Sequence, residues 1–81
     1  MDTREFTREL AARKGISEQT AYRYINSVMD AVRLVLTDGK EIEIGGFGKF
    51  TVVTELNGDR TVVFCSGKSL RQAVSAGEGR V

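Results

Sequence analysis

Between Ser17 and Gly39 the apolar residues Ala21, Ile25, Val28, Val32 and Val35 recur at steps of four and three, the spacing of one face of an α-helix. Met29, Leu34 and Leu36 broaden the stripe. Ser17 is placed to cap this helix, Glu18 suits the positive end of its dipole, and Gly39 stops it. The rest of the chain offers one short helical neighbour. It is capped by Asp2 or Thr3, carries Phe6, Leu10 and Ala11 on one side, and ends at Gly15. So wide an apolar surface is more than that neighbour covers, so part of it is expected to face another subunit.

The need for a partner sharpens with size. A chain of 81 residues makes one domain and buries only about 60% of the surface its unfolded form exposes. Its single cysteine, Cys65, excludes an intrachain disulfide, and oligomerisation is the remaining support. With no histidine, neither an ordinary zinc site nor a catalytic triad is available within one chain, so the reading is of a protein that is not an enzyme, with no cofactor, metal or small-molecule substrate. The net charge of +1 does not by itself announce a polyanionic partner. No apolar run approaches the roughly 18 residues of a membrane span, and the opening MDTREFTREL is too charged for a signal peptide, so a cytoplasmic location with Cys65 reduced is expected.

After Gly39 the period changes from helical to alternating. Glu41, Ile42, Glu43 and Ile44 read as a strand, a corner Gly45-Gly46-Phe47-Gly48 follows, and residues 49–56 and 60–66 form two further strands around Asn57-Gly58. A two-residue turn at Asn57-Gly58 would put Phe50 and Phe64 on opposite faces. A three-residue loop, Asn57-Gly58-Asp59, places Phe50, Val52, Val62 and Phe64 on one face, and is the expected register. Ser66 or Gly67 opens a last helix over residues 68–75. Residues 1–75 are thus expected to form the domain and residues 76–81 a flexible tail.

The run Ile44-Gly45-Gly46-Phe47-Gly48-Lys49-Phe50 resembles the signature of the HU and integration host factor family. Residues 1–52 are similar to HU without a gap, and residues 64–74 resemble that family's closing helix. The resemblance implies an α+β fold: two N-terminal helices, a three-stranded antiparallel sheet with a shortened hairpin, and a short C-terminal helix, built as an intertwined homodimer. It also implies binding to duplex DNA and association with the nucleoid. In the family, two long basic arms tipped by proline wrap the minor groove and kink it. This chain carries instead a short Asn-Gly hairpin between Val53 and Val63 and no proline at all, so the usual intercalating wedge has no counterpart. Sequence-tolerant phosphate contact through the dimer body is the expected activity. The alternative is an arm-less interaction protein, pairing with a full-length HU-like relative or joining a larger assembly.

The candidate nucleic-acid residues are Lys68, Lys49, Arg71 and Arg4, with Gly46 and Gly48 at the corner. Lys68 combines a cation with the free amides of a helix start, and the resemblance matches it to a DNA-contacting lysine. The glycines could admit a phosphate or let Phe47 tuck into the core. Dimer and core positions are Phe47, Phe50, Ile25, Val28, Val32 and Phe64. Gly67-Lys68-Ser69 echoes the end of a Walker loop, but Val62 stands where its first glycine is required. Tyr22 and Tyr24 flank Arg23 as packing or rim residues. Residues 10–25 also resemble a helix-turn-helix in which Gln19, Thr20 and Arg23 would read bases. The long run of core-like positions beyond residue 25 and the glycine corner speak against that reading.

Overall fold

The computed structural model describes residues 1–77. It contains α1 (Thr3–Lys14), α2 (Glu18–Thr37), β1 (Ile42–Ile44), β2 (Gly48–Thr54), β3 (Arg60–Ser66) and α3 (Lys68–Ala76). The chain divides into two compact units, Met1–Arg33 and a second beginning at Leu34.

In the first unit Asp2 caps α1. Its carboxylate accepts from the Glu5 amide at 2.9 Å, and the Glu5 carboxylate accepts from the Asp2 amide at 3.1 Å, so two otherwise orphaned donors are satisfied reciprocally. Gly15 ends the helix with φ +65°, a left-handed conformation that costs glycine nothing. Ser17 accepts from the Thr20 amide at 3.0 Å, as a cap of α2 should. The buried residues are Thr7, Ala11 and Ala21, all small. Thr7 satisfies its hydroxyl by donating to the Thr3 carbonyl at 2.7 Å. Phe6, Leu10, Ile25, Val28 and Met29 line an open apolar groove of about 620 Å³ between the two helices.

The second unit holds the sheet, antiparallel in the order β1-β2-β3. Phe50 lies opposite Phe64 and Val52 opposite Val62, so the four apolar residues share a face as expected. The loop differs by one residue from the expected one. Glu55 pairs with Asp59, its amide donating to the Asp59 carbonyl at 2.6 Å, and the three loop residues are Leu56, Asn57 and Gly58. Turn chemistry decides this: a three-residue hairpin needs its left-handed residue last, and Gly58 takes φ +92° there. The Asn57 side-chain Oδ1 then accepts from the Asp59 amide at 2.9 Å. Both loops preserve the facing of the apolar residues, so alternation could not choose between them.

The Phe64 ring is 4.8 Å from that of Phe50 and 5.7 Å from that of Phe47, measured between centroids and tilted in both cases. This cluster remains open: Phe47 is 47% and Phe64 40% exposed. No large side chain is fully buried among the described residues. The C-terminus of α2 has no basic residue in its last turn, and Arg60 supplies the cation from β3, its guanidinium 3.5 Å from the Thr37 carbonyl. The last helix runs to Ala76 and is closed by Gly77 at φ +73°, so these two residues of the expected tail are structured. The remainder of that tail, residues 78–81, lies outside the described residues.

Candidate nucleic-acid interface

The glycine corner and the start of α3 form one piece of structure. Gly46 takes φ +78°, and its carbonyl accepts from the Leu70 amide at 3.1 Å. The neighbouring carbonyl, that of Phe47, accepts from the Gly67 amide at 2.6 Å. Backbone meets backbone here. A Cβ on Gly67 would lie 2.5 Å from the Gly46 oxygen, and one on Gly48 would lie 2.5 Å from the Phe64 ring. Glycine at these positions therefore serves close packing. Gly48 is buried, so it shapes the corner beneath the ring and is not open to a ligand.

Gly67 is the N-cap of α3 and carries no side chain to satisfy the first turn. Two of the four orphan amides of a helix start are used or bypassed by the corner, but among the described residues nothing accepts from the amides of Lys68 and Ser69. Lys68 itself is exposed and has no ion-pair partner among the described residues. A cation and two free donors thus stand together at the positive end of a helix dipole, an arrangement complementary to a phosphate oxygen.

The other candidates are placed differently. Arg71 lies one turn along α3, where its guanidinium donates to the Ser66 carbonyl at 2.6 Å, tying the helix to the end of β3. Lys49 stands on the sheet face away from Phe50, cross-strand from Glu43, with its ammonium 3.9 Å from the Glu41 carboxylate. Arg4 belongs to the first unit, beside a polar groove shared with Gln19, Tyr22 and Asn26. Gln19 is exposed and lines that groove together with Thr3 and Thr7 of α1. The contact between Gly67 and the corner was not legible in the sequence, because it depends on how closely two distant backbones approach. Neither was Arg60, whose carbonyl partner lies 23 residues away.

Among the described residues no cluster of His, Cys, Asp or Glu is arranged to hold a metal, and no helix is long and apolar enough to cross a membrane. Two capped helices, a three-stranded sheet and a short final helix with an open mouth, all carrying uncovered apolar surface, define a small α+β protein of the histone-like class. Residues 1–57 match the family model of bacterial DNA-binding proteins, and the chain belongs to that family, the HU and integration host factor group. It is 27% identical to integration host factor subunit alpha of Glaesserella parasuis serovar 5 over 85 residues, taking in 86% of this chain and 87% of that one. The matched span is longer than the part of this chain that enters it, so the relative has residues within the span that this chain lacks. The fold is that of HU from Thermotoga maritima, with a TM-score of 0.77 at 24% identity over 91% of this chain and 98% of that one. A single-substitution variant of the same HU gives 0.79 at 24% identity, over 91% and 99%.

Proposed function

We propose that the chain acts as a dimer that binds duplex DNA with little regard to sequence, holding phosphates through its body and without an intercalating proline, as a cytoplasmic, nucleoid-associated and non-enzymatic protein. The observation that carries this reading is the open first turn of α3, where Lys68 and the Lys68 and Ser69 amides have no partner among the described residues, in a chain of a DNA-binding family. Arg71 beside it and Lys49 on the sheet complete the proposed interface of the second unit, and Gly46 contributes by docking the corner against the helix mouth; Arg4, in the first unit, is proposed as a separate phosphate-contacting cation. Dimerisation is supported by the uncovered groove of the first unit and the half-exposed phenylalanines of the second.

Salt titration of duplex binding tests the site. Each phosphate contact contributes about 0.9 to the logarithmic salt slope, so Lys68→Ala, present twice in a dimer, is expected to flatten it by about two. The loss should be equal on unrelated duplexes, because such contacts position without reading bases. An unchanged slope would remove Lys68 from the interface.

The DNA in such a complex is expected to stay nearly straight. The connection between β2 and β3 is five residues long and lacks proline, too short to wrap a groove or wedge open a base step. Energy transfer between dyes at the ends of a short duplex measures this, and a kink comparable to those of intercalating proteins would refute it.

One observation favours a second reading of the partner. The matched integration host factor relative is named as a subunit, which points to pairing with a non-identical, full-length HU-like chain as an alternative to the homodimer. Native mass spectrometry of the protein purified alone decides whether an identical chain suffices.

A further inference from the structure

The tip of the hairpin carries a reactive pair that the proposed DNA site does not use. Asn57 and Gly58 are both exposed, in the loop that returns β2 onto β3. Gly58 takes φ +92°, and a Cβ there would meet nothing within 4 Å, so the amide that follows Asn57 is unshielded. The Asn57 side chain is held by Asp59 at both of its polar atoms. Its Oδ1 accepts from the Asp59 amide at 2.9 Å, and its Nδ2 donates to the Asp59 carboxylate at 3.2 Å. The first of these bonds polarises the side-chain carbonyl and stands where negative charge develops when Cγ is attacked. One bond opposes reaction: the Gly58 amide donates to the Glu55 carbonyl at 2.9 Å and must release it before losing its proton. That bond lies at an exposed loop tip, where local opening is frequent.

We infer that Asn57 is a site of spontaneous covalent modification, converting to aspartate and to β-linked isoaspartate with water as the co-reactant. The deprotonated Gly58 nitrogen attacks Asn57 Cγ. A new N–C bond forms, the Cγ–Nδ2 bond breaks, and ammonia leaves with the proton that Gly58 gave up. Water then opens the cyclic imide. Addition at Cγ leaves aspartate, whereas addition at the Asn57 backbone carbonyl leaves the main chain running through the side-chain carbon. Nothing is oxidised or reduced. Either product sets a third carboxylate beside Glu55 and Asp59, replaces the Nδ2 bond to Asp59 by like-charge repulsion, and lowers the net charge of the chain by one, from +1 to 0. Isoaspartate also inserts a backbone atom into a loop closed by the Glu55 amide on the Asp59 carbonyl at 2.6 Å. The modification therefore loosens the hairpin at the turn that sets its register.

Asn26, the other asparagine of the chain, is the internal control. Ser27 follows it with a side chain, and its amide lies inside α2, so reaction there requires the helix to unwind. The intact protein is incubated at neutral pH and digested at intervals. Peptide mass spectrometry reads the exchange of NH for O, and methyl transfer from S-adenosylmethionine by an isoaspartyl methyltransferase reports the β-linked product. Asn57 is expected to convert about tenfold or more faster than Asn26, because loop tips open locally and helix interiors do not. One exposed turn hydrogen bond should slow it only about fivefold relative to a free peptide of the loop sequence. Raising the pH should accelerate it, since the Gly58 amide must lose its proton. Asn57→Gln, with a longer side chain that closes the ring poorly, should not form the acidic species seen by ion exchange. Aged parent protein should lose amide-exchange protection at Glu55, and aged Asn57→Gln should keep it. Asn57 intact after the free peptide has fully reacted, equal rates at Asn57 and Asn26, or undiminished acidic species in Asn57→Gln would overturn the inference.

Discussion

Replacing Phe47 by alanine is expected to lower the stability of the assembled protein by about 3–5 kcal/mol, the cost of truncating a fully enclosed aromatic side chain. The magnitude is informative because the ring is not enclosed within one chain. Phe47 keeps 47% of its surface exposed while stacking, tilted, on Phe64. Full burial of such a side chain stabilises by about 1.5–3 kcal/mol, so a half-covered ring in a monomer would lose only about 1 kcal/mol on truncation. The larger loss requires a second chain to close over the cluster. Urea unfolding at two protein concentrations separates the cases. For a dimer the midpoint rises with concentration, and Phe47→Ala moves the whole curve down. A concentration-independent midpoint together with a loss near 1 kcal/mol would mean that the chain is stable alone with its aromatic cluster open to water.

The same contrast explains how much of the architecture can be read without coordinates. Element existence and facing follow from periods: four and three along residues 21–35, two along residues 41–44, and the alternation that sets Phe50, Val52, Val62 and Phe64 on one face. Local caps are equally legible, since Asp2 with Glu5 and Ser17 with Thr20 act within three residues. What the periods do not contain is any quantity that is the same for two alternatives. The loop at Leu56, Asn57 and Gly58 and the loop one residue later give identical facing, and the first prevails although it exposes Leu56, because Gly58 must occupy the left-handed position.

The proposed phosphate site is legible to a different degree. A lysine beside a helix-opening glycine can be located in the chain, but whether the first-turn amides are free depends on what the preceding corner takes up. Gly46 engages Leu70 and Phe47 engages Gly67, leaving the Lys68 and Ser69 amides. The approach of Lys49 to Glu41 and its cross-strand place beside Glu43 likewise arise from strand register, in which residues six or more apart become neighbours. These features therefore appear only once the sheet is paired.

Gly67→Ala is expected to be among the most damaging single-atom additions to the chain, although the backbone at Gly67 has φ −82°, an ordinary conformation for alanine. The obstacle is steric. The added Cβ would sit 2.5 Å from the Gly46 oxygen, 2.6 Å from the Gly46 carbonyl carbon and 2.9 Å from that of Phe47, all backbone atoms with no side-chain freedom to yield. Relief requires α3 to move off the corner, which breaks the Gly67 to Phe47 and Leu70 to Gly46 hydrogen bonds. Overpacking of this kind costs about 1–3 kcal/mol. Two hydrogen bonds add about 1 kcal/mol each, for an expected total of about 3–5 kcal/mol. Gly45→Ala is the matched control, since it changes the same corner at a position with no positive φ and nothing within 4 Å, and it should fall within about 0.5 kcal/mol of the parent. Because Lys68 follows Gly67 directly, displacing the helix also displaces the proposed phosphate site. At equal folded fraction the Gly67→Ala protein should therefore show the flattened salt slope expected of Lys68→Ala, whereas Gly45→Ala should keep the parent slope. If Gly67→Ala unfolds with the same midpoint as Gly45→Ala, the helix and the corner are not in backbone contact. If it is destabilised but retains the full salt slope, phosphates are held somewhere other than the mouth of α3.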